Sequence, residues 1–309
     1  MKIRLGYACV PVTIPVTSSH TLTYTNYKKL GSMAHEKLDT VIKNNFKSLE
    51  EILKYNIRND VVFFRMSSDI LPLVNHPNVH YDFFNQYKNN FRRIGGIIRE
   101  NNLRVDIHPN SYTVLNSINK DVVISTINIL KIFNKMYELM QIDSKIILHV
   151  GSKVNGKKDS MKRFIDNFNT LDDDIKSKIV LENDDRNFNI KNVISLCEKL
   201  NIPMVLDYHH FKINKNNEKI EDYIERIFNT WDNIPKIHFS SPKDKKNRRS
   251  HNDYIDSDDF IDFLQRIKFT NRDFDVMIEA KKKDDALFRL IRELKYKTDY
   301  KIEKNTIFL

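Results

Sequence analysis

KIVLENDDRNFNIKNVISLCEKLNIPMVLD, residues 178–207, decides the fold. Two short apolar runs, KIVLE and PMVLD, each close on a carboxylate, Glu182 and Asp207, 25 residues apart. That interval holds a loop, a crossover helix and a return loop, so the stretch reads as strand, helix, parallel strand. The same pattern extends in both directions. His108, His149, Glu182, Asp207, His238 and Glu279 all close such runs, at intervals of 25 to 41 residues.

Eight runs are present: IRLGY from Ile3, VVFFR from Val61, LRVDIH from Leu103, KIILH from Lys145, KIVLE from Lys178, PMVLD from Pro203, PKIHF from Pro235 and FDVMIE from Phe274. Between them lie stretches of helical apolar spacing, such as Leu38, Val41, Ile42, Phe46, Leu49, Ile52 and Leu53. Eight strands alternating with helices predict an α/β fold, a (β/α)8 TIM barrel spanning residues 1–309 as a single domain. Strand C-termini in such a barrel converge on one mouth, which would bring the six ligand-type residues together. A doubly wound open sheet would gather ligands only from the few strands beside its switch point.

Chance does not account for the pattern. With 41 Asp and Glu and 10 His among 309 residues, a two-residue window holds one with a probability of roughly 0.3, and six successive strand ends match about once in a thousand tries. Singly, each residue has a plain reading: a hydrogen-bonded core histidine, or for Asp207 a helix cap.

Composition narrows the class. A chain that is 40% hydrophobic and 30% charged is expected to be globular, and no run approaches the 18 apolar residues of a membrane span. No secretory h-region precedes the first strand, and the two cysteines, Cys9 and Cys197, have no paired spacing. These features predict a cytoplasmic protein without a Cys-ligated zinc site. The net charge of +10 is concentrated. Lys243, Lys245, Lys246, Arg248 and Arg249 follow the seventh strand, Lys281 follows Glu279, and Arg65 ends the second strand. All belong to the predicted ligand mouth, where they would hold a polyanion by its phosphates.

Imidazole and carboxylate donors without thiolate suit Mn2+, Zn2+ or Fe2+. Asp207 and His210 stand three residues apart, enough for one turn to reach two ions. Lys236 shares a strand face with His238. A lysine there repels cations unless it is paired with a carboxylate, loses its proton or is modified. Two or three ions about 3.5–4 Å apart would activate water, stabilise a pentacovalent phosphorus and hold the leaving oxygen.

In IRLGYAC, FRMSSDILPL, DIHPNSYTVLNS, LENDD, VLDYHH, PKIHFSSP, SHNDYI and MIEAKKKDDAL, taken in order, the chain resembles the UV-damage endonuclease family over nearly its whole length. The resemblance implies a barrel like that of endonuclease IV. It implies a DNA repair endonuclease that cuts the backbone 5′ to cyclobutane pyrimidine dimers, 6-4 photoproducts and abasic sites in double-stranded DNA. Two or three divalent ions are implied, Mn2+ foremost, with Zn2+ and Mg2+ as alternatives, and the protein is expected to act as a monomer. Glu182 would bridge two ions, with His108 and His149 completing one and Asp207, His238 and Glu279 the other; His210 and His251 would hold a third. Glu182, Lys236 and Glu279 are the implied catalytic residues, Lys236 matching a carboxylated lysine. Tyr7, Arg65 and His76 are placed with the DNA-binding residues, together with the basic loops. Where the family carries Gln and an aromatic that wedge into the duplex, this chain has Ser111 and Tyr112, and the Asn of the first loop is replaced within CVPVT. Tyr112 keeps a ring able to stack beside an extruded base, whereas Ser111 is too short for the place of Gln. An endonuclease IV-like abasic-site enzyme and a divalent-metal sugar isomerase of the same barrel class are the alternatives.

Overall fold

The computed structural model describes residues 1–309. Eight parallel strands form a closed barrel: β1 (Lys2–Ala8), β2 (Phe63–Met66), β3 (Arg104–Ile107), β4 (Lys145–His149), β5 (Ile179–Glu182), β6 (Met204–Asp207), β7 (Lys236–Phe239) and β8 (Phe274–Ile278). Each pairs with its successor, and β8 returns to β1. All eight predicted runs are strands, and the predicted (β/α)8 barrel is the fold observed.

The helices between the strands bury one face because their apolar residues recur at helical spacing. In the helix Ala34–Arg58 the predicted residues from Leu38 to Leu53 are all buried. All of them but Val41 belong to a cluster of 70 buried apolar residues lying between strands and helices. The barrel interior is separate and follows the two-residue period of the strands. On β4, β5 and β6, Ile147, Val180 and Val205 form a small cluster with Trp231. Two residues further along each strand stand His149, Glu182 and Asp207, so on these three strands the polar mouth rests on apolar residues.

Closure between β1 and β2 differs from the sequence expectation. The two strands pair only at Tyr7–Phe64 and Ala8–Arg65. Lys2, Ile3 and Arg4 instead pair antiparallel with β10 (Thr306–Phe308), which forms a hairpin with β9 (Lys301–Glu303). The side chain of Asn305 donates to the carbonyl of Asn59 at 2.7 Å, tying this hairpin to the approach to β2. Its turn, Lys304-Asn305, lacks the glycine that usually announces a two-residue hairpin.

Candidate metal centre and nucleic-acid interface

The register sets ligands side by side. His149 is opposite Glu182, and Asp207 is opposite His238. Glu182 is the hub of the mouth. Its Oε2 lies 3.0 Å from His108 Nε2, 3.2 Å from His238 Nδ1 and 3.9 Å from His149 Nε2, and its Oε1 lies 3.4 Å from His210 Nδ1. Two triads, His108–His149–Glu182 and Glu182–Asp207–His238, have donor atoms within 4.8 Å of one another. Glu279 Oε1 is 3.2 Å from His238 Nδ1. His251 comes from the basic loop, which is pinned by a bridge between Pro242 and His251; its Nδ1 meets the Glu279 carbonyl at 2.6 Å.

Local sequence fixes these positions. Asp207 ends β6 and caps the helix Tyr208–Ile213, accepting the His210 N–H at 2.7 Å. Asn183 clamps the same residue from the neighbouring strand: its side chain donates to the Asp207 carbonyl and accepts the Asp207 N–H, both at 2.9 Å. Gly151, at φ 113°, admits the Asn116 side chain where a Cβ would stand 2.3 Å from Oδ1. Asn116 then donates to Ser152 at 2.7 Å, joining the loops after β3 and β4.

The donor set fits divalent cations. Glu182, although burial raises its pKa, is held well below the usual carboxylate range by His238, His149 and hydrogen bonds from His108 and His210. Asp207 is driven well above that range by burial and by the Glu182 and Glu279 charges, against the attraction of His210. Its Oδ2 is buried without a hydrogen-bond partner. Neighbouring buried carboxylates with opposed shifts and a vacant oxygen form a set that a cation would satisfy.

Beneath the ligands lies a buried charge network that sequence reasoning missed in part. Lys236 is paired with Asp106, the two side chains being 1% and 2% exposed. Burial brings the lysine down to about 8, against the pull of Asp106. Asp106 also lies 3.8 Å from Arg65, whose Nη2 contacts Glu279 at 2.5 Å and His238 Nε2 at 2.8 Å. The missed signal was parity: Asp106 stands two residues before His108, on the same strand face.

Three residues expected to contact DNA have partners within the protein. Tyr7 is fully buried and donates to Asn56 at 2.6 Å. It is a core tyrosine because β1 packs that side chain against the helix Ala34–Arg58. Arg65 is only 7% exposed and serves Glu279 and Asp106 inside the mouth, so it is not part of the outer surface. His76 stacks on Tyr24 with ring centroids 3.8 Å apart and belongs to neither ligand triad.

The remaining residues surround the mouth. Lys243, Lys245, Lys246, Arg248 and Arg249 are all exposed on a loop held by Asp244, which accepts the Lys246 and Asn247 N–H groups at 2.8 and 2.7 Å. Lys281 is attached to that loop through its N–H to the Asn252 carbonyl at 3.0 Å. On the other side, Ser111 and an 83% exposed Tyr112 border a cavity of about 620 Å³ that reaches His149 and His210.

Fold and mouth together define a class: a (β/α)8 barrel with a carboxylate and imidazole cluster that could hold metal ions at the C-terminal ends of its strands. Residues 3–307 match the family described as UV-endonuclease UvdE. A UV DNA damage endonuclease of Bacillus cereus is 38% identical over 301 residues, covering 95% of each chain. The chain belongs to the UV-endonuclease UvdE family. The crystal structure of SacUVDE superposes with a TM-score of 0.87 at 31% identity, covering 95% of this chain and 98% of that one. Endonuclease IV from Thermus thermophilus shares the fold, with a TM-score of 0.58 at 12% identity over 96% of this chain and all of its own.

Proposed function

We propose that this protein is a metal-dependent DNA repair endonuclease that hydrolyses the backbone 5′ to cyclobutane dimers and 6-4 photoproducts, and also at abasic sites. One observation carries the reading: five imidazole and carboxylate ligands in two linked triads, with His210, Glu279 and His251 beside them, open between a basic loop and an exposed aromatic ring. Family membership supplies the reaction class. His108, His149, Glu182, Asp207, His210, His238, His251 and Glu279 would hold two or three divalent ions, Mn2+ foremost, with Zn2+ or Mg2+ as alternatives. Such ions would supply an acidified water and neutralise charge on the phosphate.

The chain's own groups do the rest. The exposed cations from Lys243 to Arg249, with Lys281, grip backbone phosphates. Tyr112 stacks where the lesion leaves the helix, beside a cavity large enough to receive an extruded nucleotide. Glu182 and Glu279 fix the cluster from β5 and β8, while Lys236, one layer down and paired with Asp106, positions His238 on its own strand. The enzyme acts as a cytoplasmic monomer on damaged duplex DNA.

The test is an end-labelled duplex carrying one cyclobutane dimer, beside abasic and undamaged duplexes, with Mn2+ or EDTA. A metal-dependent nick immediately 5′ to the dimer is expected. Cleavage of the abasic duplex alone would move the reading to an endonuclease IV-like enzyme, and no cleavage of any duplex by metal-loaded protein would refute it. Glu182→Gln should abolish cleavage and preserve binding to the dimer duplex.

A further inference from the structure

The loop that follows β5 is rigid. The Asp184 carboxylate accepts backbone N–H groups from Arg186 at 2.7 Å, Phe188 at 2.9 Å and also Asn187. Asn187 donates to the Gly151 carbonyl at 3.1 Å, and Asn214 donates to the Asp184 carbonyl at 2.9 Å. A loop tied to itself and to two neighbours presents its side chains at fixed positions. Arg186 projects from it with its side chain 68% exposed.

Arg186 has one carboxylate partner, and shares it. Asp185 Oδ2 lies 3.7 Å from Arg186 Nε and 3.2 Å from Arg249 Nε. Two guanidinium groups on one carboxylate leave positive charge uncompensated. Arg249 belongs to the basic loop, so Asp185 connects that loop to the loop after β5.

Arg186 is also the only lysine or arginine lining the 620 Å³ cavity beside Tyr112, His149 and His210. Asp184 and Asp185 line the same cavity. Two carboxylates against one guanidinium leave the wall at a formal charge of −1, so Arg186 is the one group on it able to attract a nucleic-acid strand, and without it the wall would stand at −2. We propose that Arg186 is a DNA-phosphate contact on the cavity side of the centre, exchanging its share of Asp185 for a phosphate of the strand that enters. This rests on the proposed DNA-cleaving function and adds a residue that fixes where the damaged strand runs. A phosphate is favoured over a base because a guanidinium already held beside a carboxylate offers the same donors to a phosphate oxygen.

The experiment is fluorescence anisotropy with a labelled dimer duplex and an undamaged duplex, in EDTA, over a salt series, using wild type, Arg186→Gln and Tyr112→Ala. Arg186→Gln should weaken binding to the dimer duplex roughly tenfold at low salt, and flatten the log–log salt dependence by about 0.9, the share of one phosphate. Its melting temperature should match wild type, since the side chain is exposed. Tyr112→Ala should weaken only the dimer duplex and leave the slope unchanged. Arg186→Gln binding like wild type, or losing affinity for the dimer with the slope unchanged, would overturn the phosphate contact while leaving the proposed function standing. Wild-type protein without salt-dependent DNA binding would overturn both.

Discussion

Replacing Asp106 by Asn removes the charge between Lys236 and Arg65 while keeping the shape. The side chains of Asp106 and Lys236 are 2% and 1% exposed, and that of Arg65 is 8% exposed, so water cannot substitute for the carboxylate. Lys236 is brought by burial to about 8 even with Asp106 beside it. At pH 7 that leaves the ammonium only modestly favoured, by an amount on the order of 1 kcal/mol, which is forfeited when the pairing charge is lost. Removing one member of a buried pair commonly costs about 3–5 kcal/mol in full. Here the loss should fall at roughly 2–4 kcal/mol, because Lys236 has a neutral form to retreat to and Arg65 keeps Glu279. For a chain of 309 residues, unfolding entropy makes this a drop of roughly 3–6 °C in Tm.

The sign of the change carries further information. If Lys236 bore a carboxylate, as the family resemblance implies, two anions would share a dry site and Asp106→Asn would stabilise the protein. The assay is urea unfolding followed by far-ultraviolet circular dichroism, in EDTA so that metal binding does not add to the native state. Wild type, Asp106→Asn, Lys236→Met and the double variant complete a cycle, with an expected coupling of at least about 1.5 kcal/mol. Asp106→Asn as stable as wild type, or a coupling under about 0.5 kcal/mol, would refute the buried ion pair.

Alanine at Lys245, Lys246, Arg248 and Arg249 together should flatten the salt dependence of DNA binding by up to about 3.6, or 0.9 per phosphate contact, with melting unchanged; an unaltered slope in a filter-binding series would remove the loop from the footprint. His209 is 1% exposed, and burial, followed by the charges of His251, His210 and Lys212, brings it to about 4. Its folded pKa lies below the unfolded one, so the unfolded chain binds the extra proton. Stability should be intact above about pH 6.5 and fall by up to about 3 kcal/mol as pH drops to 4. Urea midpoints of metal-free protein from pH 7 to 4 should show this, and His209→Gln should shallow the decline. Gly95→Ala would set a Cβ 1.9 Å from the Met140 carbonyl oxygen, where two helices meet. A loss of roughly 1–3 kcal/mol is expected in thermal melts, and a wild-type Tm would mean that the helices can part there.

The barrel and the position of its ligands were legible because strands carry a two-residue code. A strand that ends in His or a carboxylate at the barrel mouth declares both its direction and its purpose. What the sequence hid were relations across the barrel. Asp106 and Lys236 are 130 residues apart, and nothing local in either strand names the other. Tyr7 and Arg65 sat at strand ends like the ligands, yet one strand turns its phenol outward to Asn56 and the other turns its guanidinium inward to Glu279. Strand-end position alone does not separate these cases; inward parity does. Asn183 and Arg186 lie in the loop motif beside Glu182, where hydrogen bonding rather than periodicity sets the geometry.

Charge inside the barrel is arranged in layers, and the arrangement bears on how the centre forms. Lowest, buried Asp275 accepts from Arg4 at 2.6 and 2.7 Å and from Arg104 at 2.6 Å. Asp275 and Asp106 stand on strand faces that carry Glu279 and His108 further up. Each lower anion is therefore matched by cations from neighbouring or facing strands, whereas in the uppermost layer Asp207 Oδ2 and Glu279 Oε1 are buried without a hydrogen bond, as is Asp106 Oδ1 beneath them. Arg65 reaches up to Glu279 and meets part of the deficit. A barrel built this way can close before its ions arrive, because most of its interior charge is compensated by the chain itself. The uncompensated remainder is confined to the mouth, where the substrate's phosphate would also arrive.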